Sequence, residues 1–106
     1  MTAEEFVRAV KEEKDNTVAM YFSDTSETQV GQMIRELEKN GAPKEKIHAL
    51  VDAVLNENCY TLLLAIDGEA SLGNIQQQYK LLDEEGSELT GSGEIESEAF
   101  EQFMSE

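Results

Sequence analysis

Cys59 and His48 are the only cysteine and the only histidine in the chain, and together they form its one thiol–imidazole pair. Eleven residues apart on one helix, they stand roughly 16 Å apart along its axis, beyond hydrogen-bond reach. If the second residue lies on a strand the two come closer, but no third group is indicated to orient the imidazole. A packed small hydrophobe and a surface or half-buried histidine are the expected arrangement. One sulfur and one imidazole also leave any zinc site short of ligands.

Oxygen ligands are more plentiful. Asp83-Glu84-Glu85-Gly86-Ser87-Glu88 with Glu94 has the content of a calcium loop. With Asp83 as the first position, however, the sixth is Glu88, where the sharp turn of such a loop needs glycine. Carboxylate pairs are so numerous that none stands out as a general acid and base, and there is no Trp to serve as a sugar platform. Gly91-Ser92-Gly93 lacks the third glycine of a dinucleotide loop, and no phosphate-binding lysine motif is present. No catalytic residue, metal or cofactor is therefore assigned. Gln76-Gln77-Gln78 offers amides to a recognition surface or, more plainly, forms a polar exposed edge, with Tyr79 beside it as a contact anchor.

Charge says more than any motif. The chain of 106 residues has 23 acidic side chains against 8 basic ones, a formal net charge of −15. Such a surface repels nucleic acid and anionic membrane and attracts basic partners. The last basic residue is Lys80, and nine of the acids follow it. Solubility is the plainer account of such a bias, and a docking face for a basic protein is the functional one. No apolar run reaches the ~18 residues that a membrane span needs. The first residues have neither the basic flank nor the apolar segment of a signal peptide. With a single cysteine, these features point to a cytoplasmic protein.

The elements that must position these groups are organised around Lys44 to Asp67. Ile47, Leu50, Val51, Val54, Leu55, Cys59, Leu62, Leu63 and Ile66 recur at helical spacing. An unbroken helix there runs roughly 36 Å and serves as the core. Cys59 to Ile66 also has the content of a buried strand, although no Gly or Pro interrupts the helical period. Ahead of it, Thr2 and Glu5 form a capping box for a helix from about Ala3 to Lys14. Asp15-Asn16-Thr17 reads as a break, and Val18 to Phe22 as a further helical turn in preference to a short strand. A helix from about Thr28 to Asn40 buries Val30, Met33, Ile34 and Leu37 and stops at Asn40-Gly41. Pro43 opens the central helix.

After Gly68, Ile75, Gln77, Tyr79 and Leu81 alternate with Gln76, Gln78, Lys80 and Leu82, the period of a strand. Asp83 to Gly86 reads as a turn and Ser87 to Thr90 as the returning strand. A last helix, about Glu94 to Met104, gathers Ile95, Ala99, Phe100, Phe103 and Met104 on one side.

The segment from Tyr60 to Gly73 (Tyr-Thr-Leu-Leu-Leu-Ala-Ile-Asp-Gly-Glu-Ala-Ser-Leu-Gly), continuing from Ile75 through Glu84, resembles a group of small uncharacterised acidic bacterial proteins. The resemblance covers about a third of the chain. It implies a bacterial cytosolic setting and no catalytic residue.

The expected fold is α+β, a small single domain of three to four helices around a long central helix, with a C-terminal β-hairpin and terminal helix. The expected function is a non-enzymatic protein-binding module, of immunity or DNA-mimic type, that inhibits a basic partner without binding nucleic acid or membrane itself. Glu94, Glu96, Glu98 and Glu101 imitate a phosphate row in this reading, with Tyr79 and Phe100 as anchors. Two other classes remain open. One is a small enzyme or ligand-binding domain with a pocket near Asp67-Gly68-Glu69. The other is a homodimer subunit held by apolar surface around Leu62, Leu63 and Ile66.

Overall fold

A computed structural model describes residues 1–104, and their regular structure consists of four α-helices and a closing π-helical turn. In chain order these are α1 (Ala3–Tyr21), α2 (Gln29–Lys39), α3 (Lys44–Ile66) and α4 (Glu94–Ala99), with α4 running into the π-turn Phe100–Met104. The expected α+β class is overturned. Among the described residues there is no strand and no sheet, and the C-terminal hairpin is replaced by two isolated bridges, Leu72↔Ile75 and Leu82↔Glu88.

Local chemistry explains each helix. Thr2 Oγ1 accepts from the Glu5 amide at 3.1 Å while Glu5 Oε1 accepts from the Thr2 amide at 2.8 Å, so the capping box forms as expected. The expected break at Asp15-Asn16-Thr17 does not occur. The Thr17 hydroxyl donates back to Glu13 O at 2.8 Å, a bond available inside a helix, and Lys14 and Val18 are both buried on the continuing face. One 19-residue helix results. α2 is capped by Thr28, whose Oγ1 accepts from the Gly31 amide at 2.9 Å. Gly31 has to be glycine, because a Cβ there would run into Ser26 Oγ and Cβ.

α3 confirms the helical reading of Cys59 to Ile66. Pro43 sits at its N-cap rather than inside its first turn. The helix closes with Gly68 at φ +79° and the Glu69 amide donating to Leu64 O at 2.9 Å. By length and composition it is apolar enough to cross a membrane, since Asp52 and Glu57 interrupt its apolar residues without lowering the average far.

Alternation at 75–82 produced no strand because nothing covers one face. Ile75, Gln76, Gln77 and Gln78 are all exposed, and only Tyr79 and Leu81 are half-buried. A lone hairpin with no third strand is marginal in water. The turn itself forms: Asp83 Oδ1 accepts from the Glu85 and Ser87 amides, both at 2.9 Å, and the Gly86 amide donates to Asp83 O at 3.0 Å. The Gln run is used locally. Gln76 Nε2 donates to Gly68 O at 2.9 Å, and the Gln78 amide occupies the place a Cβ on Gly68 would take.

The main core gathers Ala3, Val7, Leu63, Leu89, Ile95, Ala99 and Phe103. It lies at the end of the molecule where α1, the C-terminal half of α3, and α4 meet. Toward the other end, Val18, Ile34 and Ile47 are buried outside this cluster. The expectation that the rest of the chain wraps the central helix is only half met. Of its apolar stripe, Ile47 and Leu63 are buried, whereas Leu50, Val54 and Leu62 are exposed. The molecule is accordingly elongated, 48 × 29 × 26 Å, with a radius of gyration of 16.3 Å. A compact domain of this length has a radius of gyration near ~13 Å.

Candidate functional site

Two surfaces stand out, one acidic and one apolar, and they occupy different parts of the molecule. The acidic one is assembled from three segments distant in sequence. The Met1 ammonium binds Asp83 Oδ2 at 2.9 Å, and its pKa is raised by that bond and by the charges of Asp83, Glu5 and Glu85, which places the start of α1 beside the 83–88 turn. Gln102 Nε2 bridges α1 and the last helix, donating to Glu4 O at 3.4 Å and to Glu98 Oε2 at 3.2 Å. Glu4, Glu5, Asp83, Glu85 and Glu98 therefore meet at one end. Besides the Met1 ammonium, Arg8 compensates this charge, bonded to Glu4 at 2.8 Å.

The four glutamates expected as one row are divided by the helix. At 100° per residue Glu94 and Glu98 share a flank, while Glu96 falls on the other side. Glu101 is exposed in the π-turn. Glu96 turns toward Glu69 and Asp67, and its carboxyl is pushed above the usual range by desolvation, the Glu69 charge and hydrogen bond, and the Asp67 charge. Of the two expected anchors, Phe100 is 57% exposed, whereas Tyr79 is half-buried.

The like-charged contact at Glu96 has a testable sign. A carboxyl with its pKa raised by folding favours the protonated form, so its ionisation at neutral pH costs stability, and the cost disappears as pH falls through the raised value. Glu96→Gln is expected to raise Tm at pH 7 and to leave it unchanged near pH 4, which thermal unfolding across pH will check. Asp83 behaves oppositely: the Met1 ammonium bond and the Ser87 and Glu85 amides lower its pKa. Its contribution is present at neutral pH and is lost as pH falls through the lowered value.

Asp67 is 4% exposed. Its Oδ2 accepts from the Glu96 amide at 3.0 Å and its Oδ1 from the Gly91 amide at 3.4 Å. Gly93, at the N-cap of α4, has no side chain to offer, so the carboxylate at the end of α3 caps α4 from outside. The pocket expected near Asp67-Gly68-Glu69 is thus occupied by the chain itself, with Asp67 bound to backbone and the Gln76 and Gln78 amides over Gly68.

Cavities lie elsewhere and are walled mainly by carbon. One of about 310 Å³ runs between α1 and α3, lined by Ala9, Val10, Glu13, Thr17, Leu55 and Cys59 among others. Its thiol is held above the ordinary value by burial, slightly opposed by the Lys14 charge, and so stays protonated at neutral pH. Lys14 itself is buried and bonded to Asp52 at 2.6 Å; desolvation lowers its pKa, but the bonds and charges of Asp52 and Asp15 raise it by more. His48 is exposed on the same helix as Cys59 and packs on Phe22, with ring centroids 4.8 Å apart. A second groove, of about 290 Å³, is lined by Tyr21, Val30, Leu50, Val51, Val54 and Leu55. Among the described residues no three His, Cys, Asp or Glu side chains are grouped to hold a metal ion.

The sequence marks the α3 stripe as apolar along its whole length and does not tell which part of it is left uncovered. Compared with protein-family models, with curated proteins and with solved structures, the chain shows no match.

Proposed function

We propose that this chain is a non-enzymatic protein-binding module that engages a basic protein through its acidic end. One observation carries the reading. Folding brings carboxylates from α1, the 83–88 turn and α4 to one end of an elongated molecule. An acidic end of this kind steers a cationic surface toward itself before any contact is made. Phe100, largely exposed beside Glu101, supplies an apolar anchor once contact is made. Of the titratable groups lining the two apolar cavities, Cys59 is held protonated by burial and Lys14 is bonded to Asp52, which supports binding over catalysis.

The test pairs capture with charge reversal. Tagged protein is presented to nuclease-treated native lysate at low and moderate salt, alongside a Glu94→Lys/Glu98→Lys/Glu101→Lys variant. A basic protein retained by the wild type at low salt and lost by the variant supports the reading. With that protein purified, association at low salt is expected to slow by about 10- to 100-fold in the variant. An empty wild-type column, or equal retention by both forms, would defeat it.

A further inference from the structure

Lys14 is 5% exposed, and its ammonium carries three donors that need acceptors. Asp52 accepts one at 2.6 Å, and Asp15 a second, weakly, at 3.4 Å. No third acceptor occurs among the described residues. The two carboxylates are open to water, with side chains 45% and 57% exposed, so the ammonium is the inner member of the group. Lys14 also lines the cavity of about 310 Å³ between α1 and α3. There it is the one strong donor left over. The Thr17 hydroxyl gives its proton to Glu13 O, and the Cys59 thiol donates only weakly. Ala9, Val10 and Leu55 add carbon to the wall. We infer that this cavity binds a small uncharged molecule, an unbranched apolar chain whose single carbonyl oxygen accepts from Lys14.

Each part of that description has its own reason. Carbon walls favour methylene groups over polar ones. A buried N–H without an acceptor is costly, and a carbonyl oxygen satisfies it without adding charge. Asp52 and Asp15 already balance the ammonium, and Glu13 brings a third carboxylate to the lining, so an anionic ligand is repelled. An alkylamine would set a second cation against the buried Lys14. The volume is at the lower end of the ~300–1,000 Å³ of ligand pockets, which suits a ligand of about ten non-hydrogen atoms. Leu55 borders the second groove as well, beside Val51 and Val54, and this favours a linear chain. The lining residues are all on α1 and α3, and none belongs to the acidic end. The inference therefore goes beyond the protein-binding reading and stands apart from it.

Methyl heptyl ketone is the probe, added to the whole chain and followed by calorimetry and by amide NMR shifts. Saturable binding is expected with a Kd of about 10–100 µM, within the reach of a ligand of this size. The shifts should centre on residues 9–17 and 55–59. Lys14→Met, which keeps the apolar stem and removes the donor, is expected to weaken binding about 10-fold. Ala9→Phe fills the cavity from an exposed position and is expected to abolish it. That variant keeps the test decisive should Lys14→Met fail to fold. Nonanoate and nonylamine are expected to bind at least ~10-fold more weakly than the ketone. Absence of saturation up to the solubility limit of the ketone overturns the proposal, as does binding unaffected by Ala9→Phe. Equal affinity in a folded Lys14→Met variant overturns the assigned donor. Nonanoate or nonylamine binding as tightly as the ketone overturns the uncharged class.

Discussion

Leu63→Ala is expected to lower stability by about 2–5 kcal/mol, the range for removing a leucine from a packed interior. Leu63 is 2% exposed and belongs to the cluster in which α1, α3 and α4 meet, with Val7 and Ile95 fully buried beside it. A chain of this length has roughly 5–15 kcal/mol to lose in total, so the variant should unfold far earlier in urea. Leu62→Ala is its internal control. The two leucines are adjacent on one helix, but Leu62 is exposed, and its truncation should change stability by no more than about 0.5 kcal/mol. Chemical denaturation of both variants, at concentrations low enough to keep the protein monomeric, checks the pair. Equal losses would mean that the core has been placed on the wrong side of α3.

Asp67→Ala is expected to have the next largest effect, roughly 1–3 kcal/mol, and a different character. No cavity of consequence forms. Two backbone N–H groups, of Gly91 and Glu96, lose their buried acceptor, the Asp67 carboxylate. The start of α4 has no cap of its own, so the loss should fall on α4 and the π-turn before it reaches α1. Hydrogen exchange will read this as faster exchange in residues 94–104 with α1 and α3 largely unchanged. Uniform acceleration across all helices would show that Asp67 supports the whole fold rather than the docking of α4.

These two residues also mark how far the sequence could be read. The span of α3, its stop at Gly68 and the capping box of α1 were legible because each rests on neighbours within a few positions. Leu63 was legible as part of an apolar stripe, but which third of that stripe is covered was not. That depends on where α4 lands after a long irregular connection, and nothing within reach of Leu50 or Val54 in sequence determines it. Asp67 looked like a turn residue or a pocket carboxylate. Its role is set by amides more than 20 positions downstream. The failed hairpin has the same origin. Ile75 to Leu82 alternates correctly, but alternation is a proposal to pair, and no third strand or helix accepts it. Of the candidate acidic site, the composition was plain and the grouping was not. Glu4 and Glu98 meet only through Gln102, and Glu96, counted with Glu98 in the row, turns instead toward Glu69 and Asp67.

The path from Gly68 to Gly93 differs from the helices in one further respect. It is held by single bonds from side chains and turns, such as Gln76 to Gly68 and Leu81 to Thr90, and by no ladder. In a sheet, one added or deleted residue turns every following side chain to the opposite face. Between Ser71 and Lys80 the backbone pairing is confined to the local Leu72↔Ile75 bridge, so no long register is there to shift. That stretch is an expansion joint in the chain, where length can vary over evolutionary time, or a tag be inserted, while α1, α3 and α4 keep their places.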